Sequence, residues 1–149
     1  MVVVASGGFD PLHIGHIEYL EKSKTLAGRD GKLIVVVNSD KFLKNKKGYV
    51  FMPWGERVAI IRSLRCVDEV FPCIDEDGTV IQSLRALKPD IFAKGGDRNS
   101  HNIPEREICD ELGIEIVDGL GSKIQSSQKL AEACQHISLQ QKEIVSRPF

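Results

Sequence analysis

The sequence predicts an α/β fold, a doubly wound (Rossmann-like) parallel sheet of about five strands with flanking helices. Two patterns carry this prediction. Short apolar runs, such as residues 2–5 and 33–37, are typical of strands that are buried on both faces of a parallel sheet. Between such runs, apolar residues recur at helical spacing, as in helices that cover a sheet. The alternation of the two patterns indicates successive βαβ units.

Length and composition predict one globular domain. The 149 residues, 42% apolar and 28% charged, have room for a single sizeable core. A net charge of −1 gives no overall field for nucleic acid, so no nucleic-acid partner is expected. No apolar run approaches the roughly 20 residues that span a bilayer, and the N-terminus lacks a signal-peptide pattern. We therefore expect a cytoplasmic protein without a membrane partner.

The cysteines support the same compartment. Cys66, Cys73, Cys109 and Cys134 are far apart in the sequence and form no CxxC pair. Buried free thiols are therefore expected rather than disulfides or a metal site, as in a reducing cytoplasm.

The segment after the first predicted strand has the features of a phosphate site. Gly7 and Gly8 let the backbone turn sharply and approach a ligand. Asp10 followed by Pro11 predicts the start of a helix, with Asp10 as its N-cap. The N–H groups of that helix N-terminus would face an anion such as a phosphate.

Two histidines belong to this predicted first helical turn. His13 and His16 are three residues apart, so both imidazoles could meet one phosphate chain, and Gly15 removes a side chain between them. The alternatives are two capping histidines or half of a metal site, although no zinc-type spacing completes the latter.

A lysine-rich segment follows the strand predicted at residues 33–37. Lys41, Lys44, Lys46 and Lys47 lie within seven residues, in what we expect to be a loop. Open α/β sheets bind ligands at the C-terminal ends of their strands, and ammonium groups there can neutralise phosphates. A solvated loop without a binding role is the alternative.

The rest of the chain continues the alternation, with Trp54 expected as a packing anchor. Helices are predicted around residues 17–27, 53–64, 80–87 and 103–112 and from residue 126 onward, and strands at residues 67–71, 91–93 and 114–117. Gly95 and Gly96 follow the strand at residues 91–93. We interpret this second glycine pair as another ligand-facing loop on the same sheet edge, with a plain turn as the alternative.

The sequence GGFDPLHIGH at residues 7–16 resembles the first signature of the HxGH nucleotidyltransferase superfamily. Its members join a nucleoside triphosphate to a phosphorylated small molecule and release pyrophosphate. The resemblance implies that His13 and His16 are catalytic and stabilise the triphosphate in the transition state, without a covalent intermediate. It also implies nucleotide binding by the other motif residues, namely Gly7, Gly8, Phe9, Asp10 and Gly15.

The lysine-rich segment and the helix after it resemble polyol-phosphate cytidylyltransferases of this superfamily. Their KxK pair contacts phosphates, which makes the matching Lys44 and Lys46 catalytic candidates. ERVAIIRSLRCVDEV, at residues 56–70, resembles their ERxxxL helix and VDEV strand. The resemblance implies acceptor-binding roles for Asp40, Arg57 and Lys47. Arg57 and Arg65 also match arginines that support the site or the subunit interface in relatives.

KPDIFAKGGDR, at residues 88–98, resembles the corresponding segment of the sugar-phosphate adenylyltransferases of heptose metabolism. The resemblance implies nucleotide binding by Lys94, Gly95 and Asp97, with Asp97 near the ribose or the base. This segment favours ATP, whereas the lysine pair and the VDEV strand favour CTP.

The family closes its site with an ISTT or ISSS segment that binds the β and γ phosphates. The matching residues 124–127 read IQSS, which implies phosphate contacts for Ser126 and Ser127. Both serines are also good helix N-caps. Gln125 departs from the usual serine, and an arginine that some relatives have nearby is missing, with Lys123 as the one nearby candidate to replace it.

The resemblance covers roughly residues 2–130. It implies transfer of a nucleoside monophosphate from ATP or CTP to a sugar- or polyol-phosphate, with Mg²⁺ as cofactor, in a protein expected to be a homodimer. The alternatives are a phosphopantetheine-, nicotinate- or flavin-type adenylyltransferase, or a nucleotide-binding module without turnover. We expect a nucleotidyltransferase domain at residues 1–135 and a tail at residues 136–149 that packs on the domain or on a partner subunit.

Overall fold

The computed structural model describes residues 1–96, 103–121 and 125–146, with side chains up to residue 139. The elements are β1 (Val2–Gly7), α1 (Ile14–Ala27), β2 (Lys32–Val37), α2 (Asp40–Lys47), α3 (Trp54–Arg62), β3 (Glu69–Pro72), α4 (Ile81–Leu87), β4 (Ile91–Gly95), α5 (Arg106–Leu112), β5 (Glu115–Leu120) and α6 (Ser127–Ser146). Each predicted strand and helix is present, with ends that differ by a few residues.

The five strands form one parallel sheet in the order β3-β2-β1-β4-β5. In the central strand, Ala5 is in register with Val35 on one side and with Ala93 on the other. The strand order reverses between β1 and β4, which leaves a crevice at the C-terminal edge of the sheet. The predicted doubly wound α/β fold is confirmed.

Each face of the sheet has its own hydrophobic core. On one face, β1 contributes Val3 and Ala5, which pack in a cluster with residues of α1 and α3. On the other face, Val4 packs in a cluster with residues of α4 and α5. This alternation explains why the opening apolar run has no polar position, since both faces of β1 are covered.

The prediction that Asp10 is a helix N-cap is wrong. Helix α1 begins at Ile14, and His13 is its N-cap. The Asp10 carboxylate instead accepts hydrogen bonds from the N–H groups of Phe51 and Met52, in the connection between α2 and α3. The carboxylate that the local pattern assigns to a helix cap therefore makes a tertiary contact instead.

The lysine-rich segment is helix α2, so the prediction of a loop there is also wrong. The Ser39 hydroxyl accepts the N–H of Phe42 at the start of the helix, and Gly48 ends it in a left-handed conformation with φ of 86°. Leu43 is the buried residue of this helix. Lysine favours helices, and one buried leucine with good caps is enough to fix this short one.

The cysteines are free, as predicted, but not all are buried. Cys109 is buried, Cys66 and Cys73 are half-buried, and Cys134 is exposed on α6. Burial raises the pKa of the Cys109 thiol to about 11. Within the described residues, no helix is long and apolar enough to cross a membrane.

Helix α6 runs without a break past the predicted domain boundary at residues 135–136. The side chains of Ile137 and Leu139 on this helix are exposed. The separate tail and its packing partner stay predictions.

Tyr19 is a buried residue that the helical pattern of α1 did not predict. Its hydroxyl donates a hydrogen bond of 2.7 Å to the carbonyl of Ala93 and accepts one of 3.2 Å from the N–H of Ser6. The side chain therefore joins α1 to the ends of β1 and β4, where the sheet order reverses. An aromatic hydroxyl of this kind sets the distance between the helix and the sheet edge.

We expect Tyr19→Phe to lower the free energy of unfolding by about 1–3 kcal/mol, because it removes the hydroxyl partner of the buried Ala93 carbonyl and of the partly buried Ser6 N–H. Urea unfolding measures the change. Tyr49→Phe is the matched control, since Tyr49 is exposed and its loss of a hydroxyl should stay within about 0.5 kcal/mol. Equal stability of Tyr19→Phe and wild type would contradict the bridging role.

Candidate active site

A cavity of about 1050 Å³ lies over the C-terminal edge of the sheet. The glycine turn after β1, the first turn of α1, one face of α2 and the start of α6 line it. The connection from β3 to α4 and the end of β4 complete the wall. Ligands of open α/β sheets bind at this position, in the crevice where the strand order reverses.

The two histidine rings stack on each other in this cavity, with centroids 3.8 Å apart and planes at 22°. His13 Nδ1 accepts the N–H of Gly15 at 3.1 Å, and His16 Nδ1 accepts the N–H of His13 at 3.2 Å. A ring nitrogen that accepts an N–H carries no proton, so the neutral rings carry theirs on Nε2. Both imidazoles are thus fixed as Nε2–H donors.

The surroundings of the two rings keep both imidazoles neutral. Burial lowers the pKa of His13, and it lowers the pKa of His16 to about 3, with further lowering by the neighbouring His13 and by the positive charge of Lys47. Neutral rings can stack without repulsion. At neutral pH they would therefore bind a polyphosphate through N–H groups rather than through a positive charge.

Gly15 and Phe9 hold this histidine pair in place. A Cβ at Gly15 would lie 2.9 Å from His13 Cε1, so any side chain there would displace the ring. Phe9 is buried, has a φ of 52°, and its ring lies edge-on to His16 with centroids 5.0 Å apart. Such a backbone conformation is unfavourable for a bulky residue and persists where the surroundings require it.

Asp10 and Lys47 do not line the cavity. The carboxylate of Asp10 is 1% exposed, and the ammonium of Lys47 approaches it at 3.3 Å. Lys47 Nζ also donates to the Asp10 carbonyl at 3.0 Å. Asp10, which was predicted to bind the nucleotide, and Lys47, which was predicted to bind the acceptor, are therefore paired with each other.

Arg57 is fully buried and makes four hydrogen bonds. Its guanidinium donates to the carbonyls of Met52, Gly8 and Asn38 at 2.9, 2.8 and 2.7 Å, and to the carboxylate of Asp40 at 2.7 Å. Neither Arg57 nor Asp40 lines the cavity. Arg57 and Asp40, which were predicted to bind the acceptor, instead hold the chain segments around the cavity in place.

Helix α2 presents one lysine of the predicted pair to the cavity. Lys46 lines the cavity, together with Lys41 and Asn45, whereas Lys44 does not. The motif-based prediction missed Lys41 and Asn45 because it treated the segment as a loop. Helical spacing would have placed residues 41 and 45 on the same face.

The second glycine pair, Gly95 and Gly96, borders the cavity, as predicted, and so does the preceding Lys94. Lys94 and Gly95 belong to β4 itself, and Lys94 Nζ lies 4.9 Å from the centroid of the Phe92 ring. Asp97 lies outside the described residues.

The start of α6 brings both predicted serines to the cavity. The Ser126 hydroxyl accepts the N–H of Lys129 at 3.0 Å, so its capping role is confirmed. The Ser127 hydroxyl donates to the carbonyl of Pro11 at 2.9 Å and ties α6 to the entry of α1. Gln125 also lines the cavity and accepts the Ser126 N–H at 2.9 Å. Lys123 lies outside the described residues.

Residues 4–137 match the cytidylyltransferase-like family. The chain belongs to this family. The predicted membership of the nucleotidyltransferase superfamily is confirmed, and the protein is an enzyme of that class.

Relatives of this cytidylyltransferase-like protein include a FAD synthase from Methanobrevibacter ruminantium, 40% identical over 114 residues, which are 76% of this chain and 75% of that protein. The bifunctional protein HldE of Pelobacter propionicus is 38% identical over 126 residues, and this chain spans 25% of its length. The lipopolysaccharide core biosynthesis protein from Thermoplasma volcanium has a similar crystal structure, with a TM-score of 0.66 and 31% identity over 81% of this chain and 97% of that one.

Acid should destabilise the protein through His16. Its pKa is about 3 in the folded chain, against a usual value of 6.5. Between these values the unfolded state binds the additional proton, so stability falls as the pH falls. His16→Asn removes this proton, while its side-chain oxygen can still accept the N–H of His13.

Urea unfolding of both proteins at about pH 7 and about pH 4.5 measures the difference. Wild type should lose more stability on acidification than His16→Asn. Equal losses would contradict a buried, neutral imidazole.

Proposed function

We propose that this nucleotidyltransferase transfers the adenylyl group of ATP to the phosphate of a small phosphorylated acceptor and releases pyrophosphate. The observation that carries the proposal is the stacked histidine pair, whose Nδ1 atoms are occupied by backbone N–H groups and whose Nε2–H donors are thereby available. Preorganised donors of this kind stabilise charge that develops in a transition state.

ATP is supported as the donor by two observations. FAD contains an adenylyl half, and a FAD synthase is among the relatives that this chain matches over most of their length. The KGGD segment also resembles adenylyltransferases rather than cytidylyltransferases, and its first three residues border the cavity.

The proposed reaction uses no side-chain nucleophile. An oxygen of the acceptor phosphate attacks the α-phosphorus of ATP, a new P–O bond forms, and the bond to pyrophosphate breaks. His13 and His16 donate hydrogen bonds to the triphosphate, while Lys41 and Lys46 supply mobile positive charge from α2. Positioning and charge neutralisation are sufficient for this type of transfer.

Mg²⁺ fits this site as a partner of the nucleotide. Among the described residues, no group of three or more His, Cys, Asp or Glu side chains could hold a metal ion. Mg²⁺ commonly binds through substrate phosphates and water, so we propose that it enters with ATP. Its chemistry would be to neutralise phosphate charge, and the chain would hold the complex through its lysines and imidazoles.

For the acceptor, we propose a phosphate monoester on a hydroxylated chain, with flavin mononucleotide as the first candidate. The predicted sugar- or polyol-phosphate and the flavin alternative share this chemistry, because flavin mononucleotide carries its phosphate on a ribityl chain. The FAD synthase relative favours the flavin, whereas HldE is matched over a quarter of its length. The cavity of about 1050 Å³ is at the upper end of the roughly 300–1000 Å³ of ligand pockets, as a site for two substrates requires.

Pyrophosphate release tests these assignments. Purified protein with MgCl₂ is given ATP or CTP, each with flavin mononucleotide, a sugar 1-phosphate, glycerol 3-phosphate or phosphopantetheine. We expect turnover with ATP and a hydroxylated phosphate ester. Turnover with phosphopantetheine alone, or with CTP alone, would refute the acceptor or the nucleotide assignment respectively.

The predicted homodimer and cytoplasmic location are also proposals. Size-exclusion chromatography with light scattering decides the first, because a molar mass near the 16.5 kDa of one chain would refute it.

The two lysines of the KxK pair should differ in their effect on turnover. We expect Lys46→Ala, which removes a cavity-lining ammonium, to lower kcat/KM by about tenfold or more. Lys44→Ala removes the same charge outside the cavity and should cost less than about threefold. Both side chains are exposed, so thermal unfolding should be unchanged within about 0.5 kcal/mol. A larger loss for Lys44→Ala would contradict the orientation of α2.

A further inference from the structure

The cavity wall contains a buried carboxylate that the proposed reaction does not use. Glu105 precedes α5, lines the cavity and is 4% exposed. Its Oε1 accepts the N–H of Val80 at 3.2 Å. Among the described residues, its Oε2 has no hydrogen-bond partner, and no other buried side-chain nitrogen or oxygen of those residues lacks one.

An unpaired buried oxygen of this kind is unfavourable in the free protein. Nearly all buried polar atoms in folded proteins have a partner, and an unpartnered one loses its hydration without compensation. The carboxylate would recover this loss if a ligand in the cavity donated a hydrogen bond to Oε2. Oε2 is closed to solvent in the free protein, so this contact requires the Glu105 carboxylate to rotate toward the cavity that the residue lines.

The surroundings indicate what kind of group the ligand would bring. The same wall carries three further carboxylates, those of Asp75, Glu76 and Asp77. Asp75 is buried and satisfied by Ser83 and by backbone N–H groups, and Asp77 accepts from the Thr79 hydroxyl.

Lys41 and Lys46 of α2 and the two imidazoles line the same cavity, and Lys94 lines it at the end of β4. A phosphate would be repelled by the carboxylates and attracted by the lysines. A neutral donor such as a hydroxyl group suits the acidic part of the wall, because a carboxylate accepts hydrogen bonds and donates none.

We propose that Glu105 Oε2 accepts a hydrogen bond from a hydroxyl group of a bound substrate and makes Glu105 a specificity-determining residue. The inference rests on the proposed function, since it assumes that the nucleotide and the acceptor share this cavity. The hydroxyl belongs either to the ribose of ATP or to the hydroxylated chain of the acceptor. Glu105 selects for that hydroxyl, because a site built around a buried acceptor rejects an analogue that leaves the acceptor unpaired.

Glu105→Gln is the variant that tests this inference. The amide is nearly isosteric, its oxygen can still accept the Val80 N–H, and its nitrogen replaces the unpartnered Oε2 with a donor. We expect thermal stability to be kept or raised, because a buried charge is removed. Calorimetric titration with a non-hydrolysable ATP analogue plus MgCl₂, and separately with flavin mononucleotide, should show affinity for one ligand falling about tenfold or more.

Glu76→Gln is the matched control. It removes the same charge from the same wall, but Glu76 is exposed. We expect its affinities to stay within about threefold of wild type. Equal losses in Glu76→Gln and Glu105→Gln would show a general effect of charge and would overturn the proposal.

Substrate analogues decide which hydroxyl pairs with Glu105 and do not depend on the folding of the variant. Wild type is titrated with 2′-deoxy-ATP and 3′-deoxy-ATP, and with flavin mononucleotide analogues that lack single ribityl hydroxyls. We expect one deletion to weaken binding about tenfold in wild type and to have little effect in Glu105→Gln, as a double-mutant cycle requires for a direct contact. If no deletion weakens binding to wild type, the proposal is overturned.

The binding measurements also separate this inference from the proposed function. A protein that shows the Glu105-dependent hydroxyl preference but releases no pyrophosphate with any substrate pair would refute the proposed function alone. Turnover without any hydroxyl preference would refute the role of Glu105 alone.

Discussion

The buried guanidinium of Arg57 is the interaction on which the site depends. It is fully enclosed, and its donors join the carbonyl of Gly8 after β1, the carbonyl of Asn38 after β2 and the carbonyl of Met52 before α3. Three chain segments that are distant in sequence are thereby held at one point. A lysine could not replace it, because a single ammonium lacks the planar set of donors that reaches all three.

Asp10 completes this support from the other side of the same segment. Its carboxylate holds the N–H groups of Phe51 and Met52, while Arg57 holds the Met52 carbonyl. Asp10 directly follows Phe9, whose ring contacts His16. The position of the His16 imidazole is therefore linked through two residues, Phe9 and Asp10, to the connection between α2 and α3. Asp10 and Arg57, which the motifs suggest as ligand contacts, thus hold the chain segments around the cavity in place.

The sequence was sufficient to predict the fold and to place the histidine pair at the C-terminal edge of the sheet. It was not sufficient to predict which charged side chains line the cavity. Apolar runs predict buried strands because burial on both faces leaves no polar position. The three-residue spacing of His13 and His16 likewise predicts that both imidazoles lie on one face of the first turn of the helix. Asp10 and Lys47 are different, since a motif shows which residues are near the site and not which of them pair with each other. The helical form of α2 follows from caps at Ser39 and Gly48, a signal that was present in the sequence and outweighed by the run of lysines.

Glu105 shows the second limit of sequence reasoning. Nothing in its local pattern distinguishes it from other glutamates before a helix, and its burial follows from the way the connection after β4 meets the connection after β3 at Val80. Such contacts between distant loops are set by the whole fold. They are also where an enzyme of this architecture can change its substrate without changing its chemistry, because the residues proposed to bind phosphate lie at the start of α1 and on α2, and Glu105 belongs to neither element. Under the proposed function, the histidine pair would serve the transfer itself, and Glu105 would serve the choice of substrate.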